Sequence, residues 1–219
     1  MLILLVLAMG APAGAEARAR KPRRPAAYLN MPRGWTWPPT PEMKAAGERC
    51  VKELDQLGVA WKPAPATNKV TTPIYVPSMT VRGLVLEPIW RKGPFVMDCH
   101  LALALAHHAE TLQQLGVRAL RFSSIHSYRN VRKRHRTWPM LSRHAIGLAM
   151  DVYEISFTDG RTLVVERDYR KEPILRQIEE ALRGSHYLRG LLTPGNDPRS
   201  HHDHFHIEGD QHLEQHPVG

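Results

Sequence analysis

Cysteine is scarce: a chain of 219 residues holds two, Cys50 and Cys99. Two thiols exclude a disulfide-stapled miniature domain and a four-cysteine zinc site. Long apolar runs are missing too. No stretch of about 18 apolar residues occurs, which excludes a polytopic helical membrane protein. Acidic residues are outnumbered: 21 Asp and Glu stand against 30 Lys and Arg, a formal charge of +9. No helix-turn-helix, zinc-finger or RNA-binding signature accompanies that charge, so nucleic acid is not the expected partner. An apolar content of 42% argues against disorder throughout. The length suits one domain of ordinary size. What the chain has in excess is proline (18) and histidine (13), and six of the histidines fall between His201 and His216.

The first nine residues, Met-Leu-Ile-Leu-Leu-Val-Leu-Ala-Met, are apolar but too few to span a bilayer. Small residues follow, with Ala13-Gly14-Ala15 and Ala15-Glu16-Ala17 as A-x-A cleavage sites. This predicts a signal peptide over 1–17 and export, with no stable membrane insertion after cleavage. The alternative, a buried N-terminal strand, continues poorly into a run with five basic residues from Arg18 to Arg24. Residues 18–40 read as a basic, Pro-rich linker in which Trp35 and Trp37 either pack on the domain or touch a ligand. Outside the cytoplasm Cys50 and Cys99 can pair. The other reading is two buried thiols. Closing a loop of that length would stabilise the fold by about 4 kcal/mol. The polyanions met by an exported basic protein are the cell wall and lipid head groups.

Pro41 to Leu57 predicts a helix, with Met43, Ala46, Cys50, Leu54 and Leu57 on one face and Gly58 as the stop. Asp98 to Leu115 predicts a stronger one, with Asp98 as N-cap and Gly116 as terminator. Pro173 to Leu182 predicts another. Strands are expected over Thr80–Leu86, Ala119–Tyr128, Leu148–Phe157, Thr162–Val165 and His204–Glu208, with a hairpin turn at Asp159-Gly160. Helices interleaved with strands, then consecutive strands, predict an α+β fold with a small, mainly antiparallel sheet packed with helices. The domain is expected over 41–210, with a tail at 211–219.

Two segments carry chemistry. In His201-His202-Asp203-His204-Phe205-His206, a strand would place His204 and His206 on one face beside a carboxylate. Such a set suits a divalent metal, zinc above all, although a solvated His-rich tail gives the same letters. In Ser142-Arg143-His144-Ala145-Ile146-Gly147-Leu148-Ala149-Met150-Asp151, small residues let backbone approach closely. His144 and Asp151 lie seven apart, a step that a helix face would also bring together. Asp151 could equally pair with an arginine.

Taken together, Ser-x-His-x-x-Gly-x-Ala-x-Asp and the downstream His-x-His resemble zinc peptidases of bacterial cell walls, the lysostaphin, D-Ala-D-Ala peptidase and sonic hedgehog superfamily. Within it the chain most resembles the bacterial extensin-like C-terminal domain family. That likeness rests on Cys50-Val51-Lys52-Glu53-Leu54, Asp98-Cys99-His100-Leu101-Ala102, Ser127-Tyr128-Arg129 and the two metal segments, and spans roughly 45–210. It implies a hedgehog- or DD-peptidase-like fold and one zinc ion held by His144, Asp151 and His206. It implies three catalytic residues: Asp203 as general base, His204 as the group that stabilises the tetrahedral intermediate or orients Asp203, and Arg129 as the group that binds substrate or oxyanion. Ser142 is expected to shape the loop around His144. The chain departs from the family in lacking its additional cysteines, which leaves the pairing of Cys50 with Cys99 open. The run Arg132-Lys133-Arg134-His135-Arg136 is either a solvated turn or an anionic-ligand rim.

The expected activity is zinc-dependent hydrolysis of peptide bonds in peptidoglycan stems or crosslinks, in the periplasm or after secretion. A noncatalytic wall-binding domain is the alternative, and a metal-sequestering protein a third. His126 could face the site. His201 and His202 are either its outer neighbours or exposed. His107, His108, His186, His212 and His216 read as structural or surface residues, and Asp197 as part of a loop that walls the cleft. The sequence does not fix the oligomeric state.

Overall fold

Two helices begin where a side chain caps them. Thr40 Oγ1 accepts the Met43 N–H at 3.2 Å, and Pro41 opens helix α1 (Pro41–Gln56), whose buried face carries Met43, Ala46, Cys50 and Leu54. Asp98 caps α2 (Cys99–Gln114) by accepting the His100 N–H at 3.1 Å. Helix α2 is apolar on nearly every side because it lies between the sheet and α1, with α4 also against it. A short α3 (Val165–Asp168) precedes α4 (Pro173–Leu182), which buries Leu175, Ile178 and Leu182. This computed structural model describes residues 26–133 and 136–212, with the backbone alone for Lys133 and Arg136. The expected signal peptide, residues 18–25 of the linker, Arg134, His135 and residues 213–219 with His216 lie outside the described residues.

The strands are β1 (Lys62–Pro63), β2 (Pro73–Tyr75), β3 (Thr80–Val81), β4 (Leu84–Pro88), β5 (Met97–Asp98), β6 (Val117–Ser124), β7 (Asn130–Lys133), β8 (Arg136–Leu141), β9 (Ala149–Phe157), β10 (Thr162–Val164), β11 (Leu188–Leu192) and β12 (Phe205–Gly209). The main sheet runs β11-β12-β9-β6-β4-β3. Its neighbours are antiparallel except β4 with β6. One edge of β9 pairs with β6; β12 and β10 share the other. β1, β2 and β5 form a small second sheet, and β7 with β8 a hairpin. The fold is α+β with a mainly antiparallel sheet, as the element order predicts. One sheet face, with Leu86, Leu120, Phe122, Val152, Phe205 and Ile207, packs against α2.

Strand β9 serves both faces through a change of phase. Arg121 pairs with Glu154 and Phe122 with Val152, so Tyr153 is an extra residue on β9. Before this bulge Met150 and Val152 enter the core, and after it Ile155 and Phe157 do. Asp151 is thereby left on the opposite face, within hydrogen-bonding reach of a side chain of β12.

Cys50 and Cys99 form a disulfide that ties α1 to the first residue of α2 across 49 residues of sequence. In the chain-entropy picture this closure contributes about 4 kcal/mol. Residues expected as linker also contribute to the interior. Met31 and Trp35 are buried with Met43, Leu141, Ala145, Ile146 and Leu148 in a second apolar cluster, and Trp37 packs against it. Packing, not ligand contact, is the role of Trp35. No helix among the described residues is long and apolar enough to cross a membrane.

Candidate metal centre

His144 sits on a single 3-10 turn, Arg143–Ile146, that links β8 to β9. Ser142 caps this turn, its Oγ accepting the His144 N–H at 3.3 Å, so it shapes the loop as expected. Gly147 ends the turn at φ +69°, and a Cβ there would meet the Asp98 backbone nitrogen at 2.8 Å. The Gly147 carbonyl instead accepts the Asp98 N–H at 2.9 Å. Only glycine satisfies both the dihedral and the space. The seven-residue step between His144 and Asp151 is therefore spanned by a turn and a strand, not by a helix.

Asp151 on β9 is directly opposite His206 on β12. Facing residues of antiparallel strands project to the same side, so the two side chains meet. His204 precedes β12 by one residue, and its ring still joins the group. Asp151 Oδ1 lies 2.7 Å from His206 Nδ1, 3.1 Å from His144 Nε2 and 3.5 Å from His204 Nε2. All four residues are buried.

The other ring nitrogens show what this convergence lacks. His144 Nδ1–H donates to the Ile125 carbonyl at 2.8 Å, since a carbonyl can only accept. His204 Nδ1 is held by Asp203 Oδ1 at 2.6 Å. Their Nε2 atoms therefore turn lone pairs toward a carboxylate oxygen. His206 has carboxylates at both ends, with Glu208 Oε1 3.1 Å from Nε2. Where those rings are neutral, a cation between the lone pairs and the oxygen would satisfy both. Donor atoms of His144, Asp151 and His206 lie within 4.8 Å of one another, as do those of His201, His204 and His206. Two imidazoles and a carboxylate suit zinc.

The groups are strongly coupled electrostatically. Burial opposes charge on Asp151, yet His144 and His206 hold its carboxyl well below the usual range. Burial works against His206 protonation, but Asp151 and Glu208 raise it to about 9. Glu208 is likewise opposed by burial and still drawn down to about 2 by His206 and Arg143. His201 falls to about 4, first through burial and then through His206 and His204.

The group forms part of the wall of an open cavity of about 430 Å³. Arg129 is on its wall, 44% exposed, with its guanidinium 3.8 Å from Asp151 Oδ2. Arg132 lines the same side, while Arg134 and His135 of the expected rim lie outside the described residues. Asp197 does wall the cavity, and its Oδ2 holds His201 Nδ1 at 3.0 Å. His201 thus faces the cavity with the ligand group. Among the described residues lining the cavity, Asp203 and His126 are absent. Asp203 touches the site through His204. Tyr153, stacked on His204 at 4.9 Å, and Glu208 belong to the site and were not among the expected residues. Strand alternation carried the signal for both, each lying two residues beyond a ligand.

The sequence model of the family described as extensin-like protein C-terminus matches residues 48–218. No curated protein and no solved structure matches the chain.

Proposed function

Because this chain belongs to the extensin-like protein C-terminus family, we propose that it is an exported zinc-dependent peptidase of the lysostaphin, D-Ala-D-Ala peptidase and hedgehog type, acting on peptide bonds of peptidoglycan stems or crosslinks. The observation that supports this reading is the convergence of three imidazole nitrogens on Asp151 Oδ1 at the wall of an open cavity. His144, Asp151 and His206 would hold one zinc ion, leaving a coordination position free as catalytic sites require. When bound, zinc polarises a carbonyl and lowers the pKa of water to about 7. Asp203 and His204 are proposed to act together as the base, His204 Nε2 meeting the water and Asp203 holding the ring in place. Asp203 holds Nδ1–H of His204, so Nε2 can take a proton from water and return it to the leaving amine. Arg129 would grip a substrate carboxylate, with Arg132 adding positive charge on the same wall. Stem peptides carry such carboxylates. The periplasm is the proposed location, supported by a disulfide of the kind that persists in oxidising compartments.

A second reading, a noncatalytic wall-binding domain, is favoured by the position of Asp203 outside the cavity wall. Zinc stoichiometry of the full mature chain, wild type and His206→Ala, followed by mass analysis of muropeptide digests, tests the first reading. One ion per chain is expected, lost in His206→Ala. Asp203→Asn should retain zinc and lose about 10²–10⁴-fold in turnover. Zinc without new products, together with sedimentation on purified walls, would establish the binding module. Several loosely held ions would point to metal sequestration. No stoichiometric zinc in metal-replete wild type would sink the peptidase.

A further inference from the structure

His206 has an acidic oxygen at each end of its ring, Asp151 Oδ1 at 2.7 Å from Nδ1 and Glu208 Oε1 at 3.1 Å from Nε2. A neutral imidazole has one proton and one lone pair, so only one end can face a cation. We infer that Glu208 is a positioning residue for zinc: it accepts the Nε2 proton of His206, fixes the tautomer and leaves the Nδ1 lone pair for the ion beside Asp151. This inference rests on the zinc reading above.

The surroundings of Glu208 are built to keep its carboxylate there. It follows His206 by two residues on β12 and so shares its face. Across the strand pair it is opposite Gly190 of β11. A Cβ on Gly190 would come within 2.9 Å of Glu208 Oε2, so the carboxylate occupies the space a side chain would take. Beside it lies the buried guanidinium of Arg143, its Nε 3.9 Å from Glu208 Oε2. Such a countercharge makes tolerable a carboxylate with only 12% of its side chain exposed. Arg143 immediately precedes His144. One ion pair therefore joins the segment that carries His144 to the strand that carries His206. Glu208 engages Arg143 through Oε2 and His206 through Oε1, one oxygen for each. An ion pair with Arg143 alone would leave the second oxygen without a reason to meet His206.

Zinc affinity of the full chain, measured by competition with a chromophoric chelator, tests this, with cobalt(II) absorption as a spectroscopic readout. The variants are Glu208→Met, Glu208→Gln and Gly190→Ala. Outer partners of metal-bound histidines change affinity by about 10–100-fold, and that loss is expected for Glu208→Met. Glu208→Gln should lose less, because its amide oxygen still accepts from Nε2–H. Gly190→Ala keeps Glu208 but displaces its carboxylate, and should weaken zinc by about tenfold and alter the cobalt bands. If Glu208 serves only the ion pair with Arg143, the metal-free protein loses thermal stability while zinc affinity and cobalt bands stay as in the wild type, and the inference is overturned. Should Glu208→Met fail to fold, unchanged affinity in Gly190→Ala overturns it equally. A wild type that binds no zinc overturns both the zinc reading and this inference. Zinc binding without muropeptide turnover overturns the hydrolase alone.

Discussion

Two buried aspartates divide this protein into a part that holds itself together and a part that reaches outward. Asp98 spreads its work over both oxygens. Oδ1 takes the His100 N–H and faces His100 Nδ1 at 2.7 Å; Oδ2 accepts the Thr72 N–H at 3.0 Å and Gln211 Nε2–H at 3.3 Å. Asp151 concentrates on one oxygen: three imidazole nitrogens approach its Oδ1. The first pattern saturates a carboxylate with protein donors, which rigidifies a core. The second gathers ring nitrogens of three histidines at one oxygen, an arrangement that suits a shared cation. Burial alone does not distinguish the two aspartates. The way their partners divide between the two oxygens does.

The contrast is sharpest when each aspartate is removed. Asp98→Ala orphans four donor groups, that of Thr72 only partly buried, and uncaps α2. It should cost toward the top of the roughly 3–5 kcal/mol seen on breaking buried charge partnerships, read by thermal or denaturant unfolding. Its folded fraction should still bind zinc as the wild type does. Asp151→Asn should do the reverse, cutting zinc affinity beyond the about 100-fold that loss of an outer partner produces, with the smaller change in unfolding. If both substitutions act alike on stability and zinc, the division fails.

Ser142→Ala sharpens the boundary between the two parts. The residue caps the turn that carries His144, and loss of such a cap costs about 1 kcal/mol. A structural role for Ser142 predicts this modest loss in unfolding experiments with zinc still bound. Abolished zinc binding would move Ser142 into the site.

The smallest expected effect is a pH dependence outside the site. Burial lowers the pKa of His108 on α2, its Nδ1 bonded to the Ala104 carbonyl. The unfolded chain then binds more protons than the folded one at mildly acidic pH. This contribution is complete above the unfolded value of about 6.5 and is lost as pH falls below it. Unfolding of the metal-free protein between pH 7 and pH 5 should therefore flatten in His108→Gln. An unchanged slope would contradict the assignment.

Much of the part that holds itself together was legible in the sequence. Helices α1, α2 and α4 and strand β9 follow from apolar spacing and from Asp98, Gly58 and Gly116 at helix ends, while the Thr40 cap of α1 was not singled out. β12 was displaced by one residue, beginning at Phe205. The sequence pattern of β6 runs on to Tyr128, but the strand ends at Ser124 as the chain leaves the sheet on its way to Arg129. The hairpin of β7 and β8 was hidden because basic residues and Pro139 mask any alternation. β11 was hidden by Arg189 and Gly190, and Gly190 is there to make room for Glu208. In the site, the motifs pointed to His144, Asp151 and His206. Glu208 and Tyr153 were not among the expected residues, although strand alternation from His206 and Asp151 carried a signal for both. The approach of Asp197 and His201 was not readable, because a loop with no periodic pattern brings it about.

The packed unit reaches further upstream than the family match. The family match begins at residue 48. Asn30 lines the cavity and donates from Nδ2 to the Leu141 carbonyl at 3.2 Å, and Met31, Trp35 and Met43 seal the apolar cluster behind the His144 turn. All four precede the match. The matched segment and the unit of solvent exclusion thus have different borders. In this chain the cover over Leu141, Ile146 and Leu148, and part of the cavity wall, come from upstream of the match, while the histidines of the site lie within it.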